Sequence, residues 1–267
     1  MNLTPDVSAN VDGWGISVPD LDSAVAAIAA RASRSESFSV FTLNLDHVVK
    51  LRRDAAFRSA YRQATLITAD GAPVAWLARQ KGAHVSRATG ADLVLPLVEE
   101  AARRQIPVYL FGSTGTVLAK AGRAFATHTN DLIDIAGTEA PPHGFDPTGP
   151  AADAAIARIA ASGARIAFLA LGAPKQEIFA ARAQAQGVRC GFVCIGAALD
   201  FIAGAQVRAP KVMQDTGTEW LWRLATNPRR LAARYSQCAV LLADLAVVQP
   251  LRQRRSSTSL SRQSRQL

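Results

Sequence analysis

The chain has 267 residues, enough to bury a full core as one α/β domain or as one domain with an appendage. Hydrophobic residues make up 49% and charged residues 19%, which excludes a disordered chain. The net charge of +9 is uneven: eleven Arg and Lys follow Gly204, against Asp215, Glu219 and Asp244, so an anionic partner is expected for the C-terminal quarter. Cys190, Cys194 and Cys238 are too few and too irregular for a disulfide framework or a zinc site. With no charged-then-apolar leader at the N-terminus, a reducing cytosol is expected.

The first twelve residues carry no usable pattern. Asp20-Leu21-Asp22 has the Asp-x-Asp form of a divalent-metal chelator, yet it directly precedes the helical run Ser23 to Arg31. Asp is a preferred residue at a helix start, so capping is the favoured reading and no metal site is expected. Phe38 to Leu43 reads as a buried strand, followed by Asn44, Asp46 and His47. His47 to Gln63 is expected to form one helix, with Val48, Val49, Leu51, Phe57 and Tyr61 along its apolar stripe. Leu66 to Thr68 is a short strand running into Ala69-Asp70-Gly71-Ala72-Pro73, with a new helix from Pro73. A carboxylate at a strand tip is where α/β enzymes place acids and bases, although Asp-Gly is also a common turn pair. Arg87-Ala88-Thr89-Gly90-Ala91-Asp92 opens the next helix. Thr89 and Asp92 have the spacing of a capping box, which leaves Arg87 without a local structural role.

Val108 to Phe111 is a strand followed by Gly112-Ser113-Thr114-Gly115-Thr116, glycine-rich but without the dinucleotide fingerprint. Leu132 to Ala136 reads as another strand, 141–147 as a long loop, and Ala151 to Ala161 as a helix. Ile166 to Leu171 is an unbroken apolar run, the pattern of a strand buried on both faces. Gly172-Ala173 then turns the chain, and Pro174 suits the first helical position. A helix N-terminus at the carboxyl edge of a sheet offers unpaired N–H groups to an anion. Lys175, Gln176 and Glu177 either line such a site or form an ordinary solvated first turn. Gly187 ends this helix, and Val188 to Ile195 is the last strand, closing in Gly196-Ala197-Ala198-Leu199-Asp200. Strands alternate with helices, so the expected fold is α/β: a mostly parallel, Rossmann-like sheet with helices on both faces.

Past Gly204 the chain becomes a basic helical appendage. Thr216-Gly217-Thr218-Glu219 reads as a capping box before Trp220-Leu221-Trp222-Arg223-Leu224. Asn227-Pro228 starts another helix with Arg229, Arg230 and Arg234 in its first turns. Cations are disfavoured there, so an anion or a membrane is expected to answer them. The apolar run Cys238 to Val248 is too short, and too interrupted by Asp244, to span a bilayer. It suits either the plane of a membrane interface or packing on the core. Residues 251–267, rich in Ser, Gln and Arg, are expected to be disordered and attracted to anionic lipid. The expected organisation is a core over 1–203, an appendage over 204–250 and this tail.

Seven motifs then add up. Thr42-Leu43-Asn44, Ala69-Asp70-Gly71, R-x-T-G-x-D at 87–92, L-G-A-P-K-Q-E at 171–177, I-G-x-x-x-D at 195–200, R-A-P at 208–210, and E-W-x-x-R-L with a following P-R-R at 219–230 together resemble the WecG/TagA/CpsF family. The resemblance covers residues 13–235 in order. One departure is Gly196-Ala197, where a glycine pair is often seen in the family.

The resemblance implies an inverting, metal-independent glycosyltransferase of family 26, needing no cofactor. It would move a sugar from a UDP-sugar to a polyprenyl-diphosphate-linked sugar, on the cytoplasmic face of the membrane. It implies Asp70 as general base, with Thr42, Asn44, Arg87 and Gln176 lining the site; Asp92 is grouped with these substrate-binding positions. Arg208, Arg223 and Arg230 match its diphosphate-binding arginines, with Arg229 competing for the last place, and Gly172 and Lys175 join the nucleotide-binding set. Relatives use N-acetylmannosamine, its uronate or glucose, and the motifs do not separate these. The partners implied are the donor, the acceptor and an anionic membrane surface, with a homo-oligomer left open and no nucleic acid expected. The chemistry is consistent, because one base and a cationic clamp for the leaving diphosphate suffice for inversion. Two rivals remain: an NAD-type oxidoreductase, which lacks its fingerprint, and a non-enzymatic basic module that binds membrane or nucleic acid, which would leave the strand-tip residues idle.

Overall fold

The computed structural model describes residues 9–250; the expected tail at 251–267 lies outside the described residues. A hairpin of β1 (Ala9–Val11) and β2 (Trp14–Ile16) leads into α1 (Leu21–Ser33). Asp20 caps α1 by accepting from Ser23 N, as a helix start after Asp predicts. Then follow β3 (Phe38–Leu43), α2 (Leu45–Leu51), α3 (Ala55–Arg62), β4 (Leu66–Ala69), α4 (Ala72–Gln80) and α5 (Gly90–Arg103). The next units are β5 (Val108–Gly112), α6 (Gly115–His128), β6 (Ile135–Glu139), α7 (Pro150–Ala161), β7 (Ile166–Ala170), α8 (Lys175–Ala185), β8 (Gly191–Cys194) and α9 (Ala198–Ile202). The C-terminal part is helical: α10 (Lys211–Asp215), α11 (Glu219–Thr226) and α12 (Pro228–Ala243), which runs on through a π-helical stretch, Asp244–Val248.

Strands β4-β3-β8-β7-β5-β6 form one sheet, and every neighbouring pair is parallel. Parallel strands demand crossover helices, and these cover both faces. The side-chain period of two splits each apolar run between two cores. Phe41, Leu43, Phe111, Leu169 and Phe192 face α2, α3, α7 and α8, while Phe38, Val40, Leu110, Phe168 and Val193 face α1, α5 and α6. That double burial is why β7 reads as an unbroken hydrophobic run.

Four local expectations shift. The segment 47–63 is two helices, because Asp54 accepts from Phe57 N and starts a new one. The sixth strand begins at Ile135 rather than Leu132, since Asn130 and Asp131 take left-handed φ values of 50° and 61° and extend the turn. Of Val188 to Ile195, only Gly191–Cys194 is paired strand. Pro174 occupies the N-cap of α8, one residue before the first helical position.

The appendage packs on the core. α12 lies against α2, burying Cys238 and Leu241. Arg234, expected to answer an external anion, instead pairs with Asp46 of α2 at 2.9 Å. Asp244 is accounted for by Arg52, which also donates two hydrogen bonds to Asp12 in the hairpin loop. The other face of the helix stays open, with Val240 and Val247 exposed. Read as one segment, Leu231–Val248 is 18 residues long with a mean hydropathy of 1.4, the length and composition of a short span. Its Arg234 and Asp244 are nonetheless paired to the core.

The sheet closes tightly at the tip of β5. Gly112 has φ 118°, and a Cβ there would lie 2.4 Å from the Ala170 carbonyl oxygen of β7. Gly112→Ala should therefore lower stability by about 2 kcal/mol or more, through both strain and overpacking. A urea midpoint that falls at constant m-value would register it.

Candidate active site

The six strands of the main sheet being parallel, their carboxyl ends open on one edge, and the strand tips and loops there carry the polar motifs. Thr42 lies at the end of β3 and Asn44 just after it, and Asp70 follows β4 beside it. The backbone first fixes Asp70, whose N–H donates to Leu43 O at 2.8 Å. Asn44 has two tasks. Its Oδ1 caps α2 by accepting from His47 N at 2.9 Å, which turns its Nδ2 to donate to Asp70 Oδ2 at 3.2 Å. Thr42 Oγ1 reaches the same oxygen at 3.5 Å. Among the described residues Asp70 Oδ1 has no hydrogen-bond donor, so one carboxylate oxygen is held and the other is open. Burial pushes the Asp70 carboxyl above the usual carboxylate range. The Asn44 hydrogen bond and the Arg223 charge pull it down, and Glu219 and Asp92 push it up.

A second cluster lies beside it. Ala88 N donates to Ala69 O, and Thr68 Oγ1 donates to Ala88 O, which ties the Arg87 segment to β4. The capping box of α5 forms as read, Thr89 with Asp92. Asp92 has a further role: Arg208 Nη2 lies 2.5 Å from its Oδ1, and Arg87 Nη2 3.5 Å from its Oδ2. Burial pushes the Asp92 carboxyl up, but Arg208 and then Arg87 hold it below the ordinary range. The expected capping box before α11 is absent, because Thr218 makes no side-chain cap. Glu219 turns instead toward three arginines: Arg223 Nε at 3.4 Å, Arg87 Nη1 at 3.8 Å and Arg208 Nη2 at 3.9 Å. Arg208 Nε is buried without a hydrogen-bond partner. Gly217, at φ 73°, lets this loop settle over the Asp70 turn, since a Cβ there would lie 2.5 Å from Ala72 Cβ.

The β7–α8 turn is different. Gly172, at φ 75°, has open space at its Cβ position. The first turn of α8 is not solvated: Gln176 and Glu177 are buried. Gln176 Oε1 accepts from Gly196 N at 3.1 Å, and its Nε2 donates to Glu177 Oε1 at 2.8 Å. The second amide proton of Gln176 has no acceptor among the described residues. Lys175 points the other way and donates to Phe145 O at 2.8 Å, pinning the 141–147 loop instead of joining the arginines. Ser113 Oγ donates to Asp200 at 3.1 Å, which joins the β5 and β8 tips. Arg230 sits in the first turn of α12, with its side chain outside the described residues.

Thr42, Asn44 and Asp70 thus form one group, and Arg87, Asp92, Arg208 and Arg223 a second next to it. Sequence reasoning spent Glu219 on a cap, and gave Glu177 either to an anion site or to a solvated turn, where the structure buries it. The E-W-x-x-R spacing does place Glu219 and Arg223 one helical turn apart, a signal for their pairing. No group of three or more His, Cys, Asp or Glu is placed to hold a metal ion among the described residues.

Glu177 supplies a test of this geometry. Its Oε2 is buried without a partner, and burial pushes its carboxyl up to about 7. Between its ordinary 4.5 and about 7 the unfolded chain releases a proton that the folded chain keeps, so stability falls as pH rises through that window. Glu177→Gln removes this loss. The variant should be more stable than the wild type at pH 8, by about 1–3 kcal/mol, and should lose that advantage at about pH 4, as read by urea unfolding.

The model of the glycosyl transferase WecG/TagA/CpsF family matches residues 9–256, a span that takes in both the strand-tip group and the arginine cluster. The chain belongs to that family, and is therefore a glycosyltransferase with a sugar donor and an acceptor substrate.

Proposed function

We propose that the chain is an inverting hexosyltransferase that moves a sugar from a UDP-sugar to a hydroxyl of a polyprenyl-diphosphate-linked sugar, in the synthesis of a cell-surface polysaccharide. The observation that carries this reading is a half-held carboxylate beside an arginine cluster: Asp70, fixed through Oδ2 by Asn44 and Thr42, next to Arg87, Arg208 and Arg223.

Asp70 Oδ1 takes the proton of the acceptor hydroxyl as that oxygen forms a bond to the anomeric carbon. The bond from that carbon to the UDP oxygen breaks on the opposite face, and its electron pair leaves on the β-phosphate. One displacement gives inversion. The raised carboxyl of Asp70 makes it, once ionised, a stronger base than an exposed aspartate. Arginine forks match the diphosphate bidentately, and the unpartnered Nε of Arg208 is one donor free for it. Arg230, in the first turn of α12, is in this reading a further diphosphate-binding position by its motif match, and Gly172 leaves its turn open to the nucleotide. The remaining amide proton of Gln176 serves a sugar hydroxyl.

The acceptor is a membrane lipid in this reading, so the enzyme works peripherally on the cytoplasmic face. Exposed Trp220, Leu221, Val240 and Val247, with the arginines at the start of α12, give the appendage an apolar and cationic outer side. The core over 1–203 carries the base and the appendage over 204–250 carries the cationic clamp.

Asp70→Asn should lower turnover on the order of 10²–10⁴-fold. UDP should still bind, and UDP release by the wild type should survive EDTA, both measured with a panel of UDP-sugars and a short-chain polyprenyl-diphosphate-sugar acceptor. Full turnover in the variant would remove Asp70 from the base role. A chain ending at Gly204 should remain folded by circular dichroism and lose both UDP release and binding to anionic liposomes. Retained activity would show that the appendage arginines are not part of the site.

A further inference from the structure

The appendage carries three acidic side chains among the described residues. Asp215 is exposed and pairs with Lys211 one turn earlier, and Asp244 pairs with Arg52. Glu219 alone faces the reaction site. Its side chain is 18% exposed, and it contacts arginines from both parts of the chain: Arg87 from the core, and Arg208 and Arg223 from the appendage.

The distances separate Glu219 from the other carboxylates. Arg208 gives Asp92 a hydrogen bond at 2.5 Å, and Arg52 gives Asp12 two, so those N–H groups are used. Glu219 stands 3.4–3.9 Å from its three arginines and takes no hydrogen bond from any of them. Such a contact balances charge and sets position without consuming donors. Three guanidinium groups crowded around one point repel one another, and a carboxylate among them holds them together. Arg223 is also steadied from below, its Cζ 5.5 Å over the Phe201 ring.

Resting on the nucleotide-sugar reading above, we infer that Glu219 is a positioning residue that gathers Arg87, Arg208 and Arg223 into one cradle for the leaving diphosphate, with the N–H groups not given to Asp92 still free to bond it. Glu219 itself touches no substrate. It acts through the arginines, mainly Arg223, which is nearest and one turn along the same helix.

The test is a double-mutant cycle on UDP binding, measured by titration calorimetry with wild type, Glu219→Gln, Arg223→Met and the double variant. Glu219→Gln keeps the shape and removes the charge. It should weaken UDP binding about tenfold, whereas relief of a competing negative charge would tighten it. In the Arg223→Met background the same change should cost less than about threefold, because the residue it acts through is gone. Unchanged or tighter binding in Glu219→Gln overturns the inference, and so does a full tenfold loss in both backgrounds, which is the additive signature of a purely structural role. A drop in thermal midpoint does not blur the reading, since lost stability would add equally in both backgrounds. A wild type that binds no UDP would instead overturn the nucleotide reading on which the inference rests.

Discussion

Parallel pairing is the constraint from which the rest of this molecule follows. A parallel strand returns only through a crossover, and the crossovers bury both faces of the sheet. Each strand must then be buried on both sides, as β3, β5 and β7 are throughout their length. Polar chemistry has one place left to go, the loops at the carboxyl edge. The juxtaposition of Thr42, Asn44, Asp70, Ser113, Gln176 and Asp200 along that edge is a consequence of topology, because β4, β3, β8, β7 and β5 are consecutive neighbours in space.

Few polar side chains at this edge have a single duty. Asn44 ends β3, caps α2 and holds Asp70, so one amide converts a helix start into the orientation of a carboxylate. Asp92 closes a capping box and receives Arg208. Gln176 ties the β7 and β8 tips and fixes Glu177. Such sharing limits the number of buried polar atoms that need partners, which is the expensive part of building a site inside a sheet. It also leaves the part-buried Asp70 and the buried Glu177 as carboxyls pushed upward, at the places where the fold gives up stability.

Long-range charge pairing decides where the appendage sits. Arg208 on Asp92, Glu219 on Arg87, Arg234 on Asp46 and Asp244 on Arg52 each join a residue after Gly204 to one in the first half of the chain. Partly buried pairs are screened less than surface ones, and the close fit of Gly217 on Ala72 sets their register. The cationic surplus of the C-terminal quarter is therefore partly spent within the protein. Arg223 and the buried Nε of Arg208 keep unused donor capacity beside Asp70.

Sequence alone determined the architecture and the identity of the edge residues, because double burial, strand-tip glycines and helix caps are local patterns with local causes. The strand read over Ile166 to Leu171 forms over Ile166–Ala170, and the Asp20 cap and the Thr89–Asp92 box form where the residues place them. Boundaries slipped where a single side chain or turn intervened, at Asp54 and at Asn130-Asp131. Only the tertiary structure decided the fate of charges. Lys175, grouped with the nucleotide-binding positions, donates to Phe145, Glu219, read as part of a cap, faces three arginines, and Arg234, read as answering an anion or a membrane, pairs with Asp46. The physical reason is range. A cap or a buried strand is settled within a few residues, whereas an ionised side chain takes the best opposite charge that folding brings near it, and that partner can lie more than a hundred residues away in the chain.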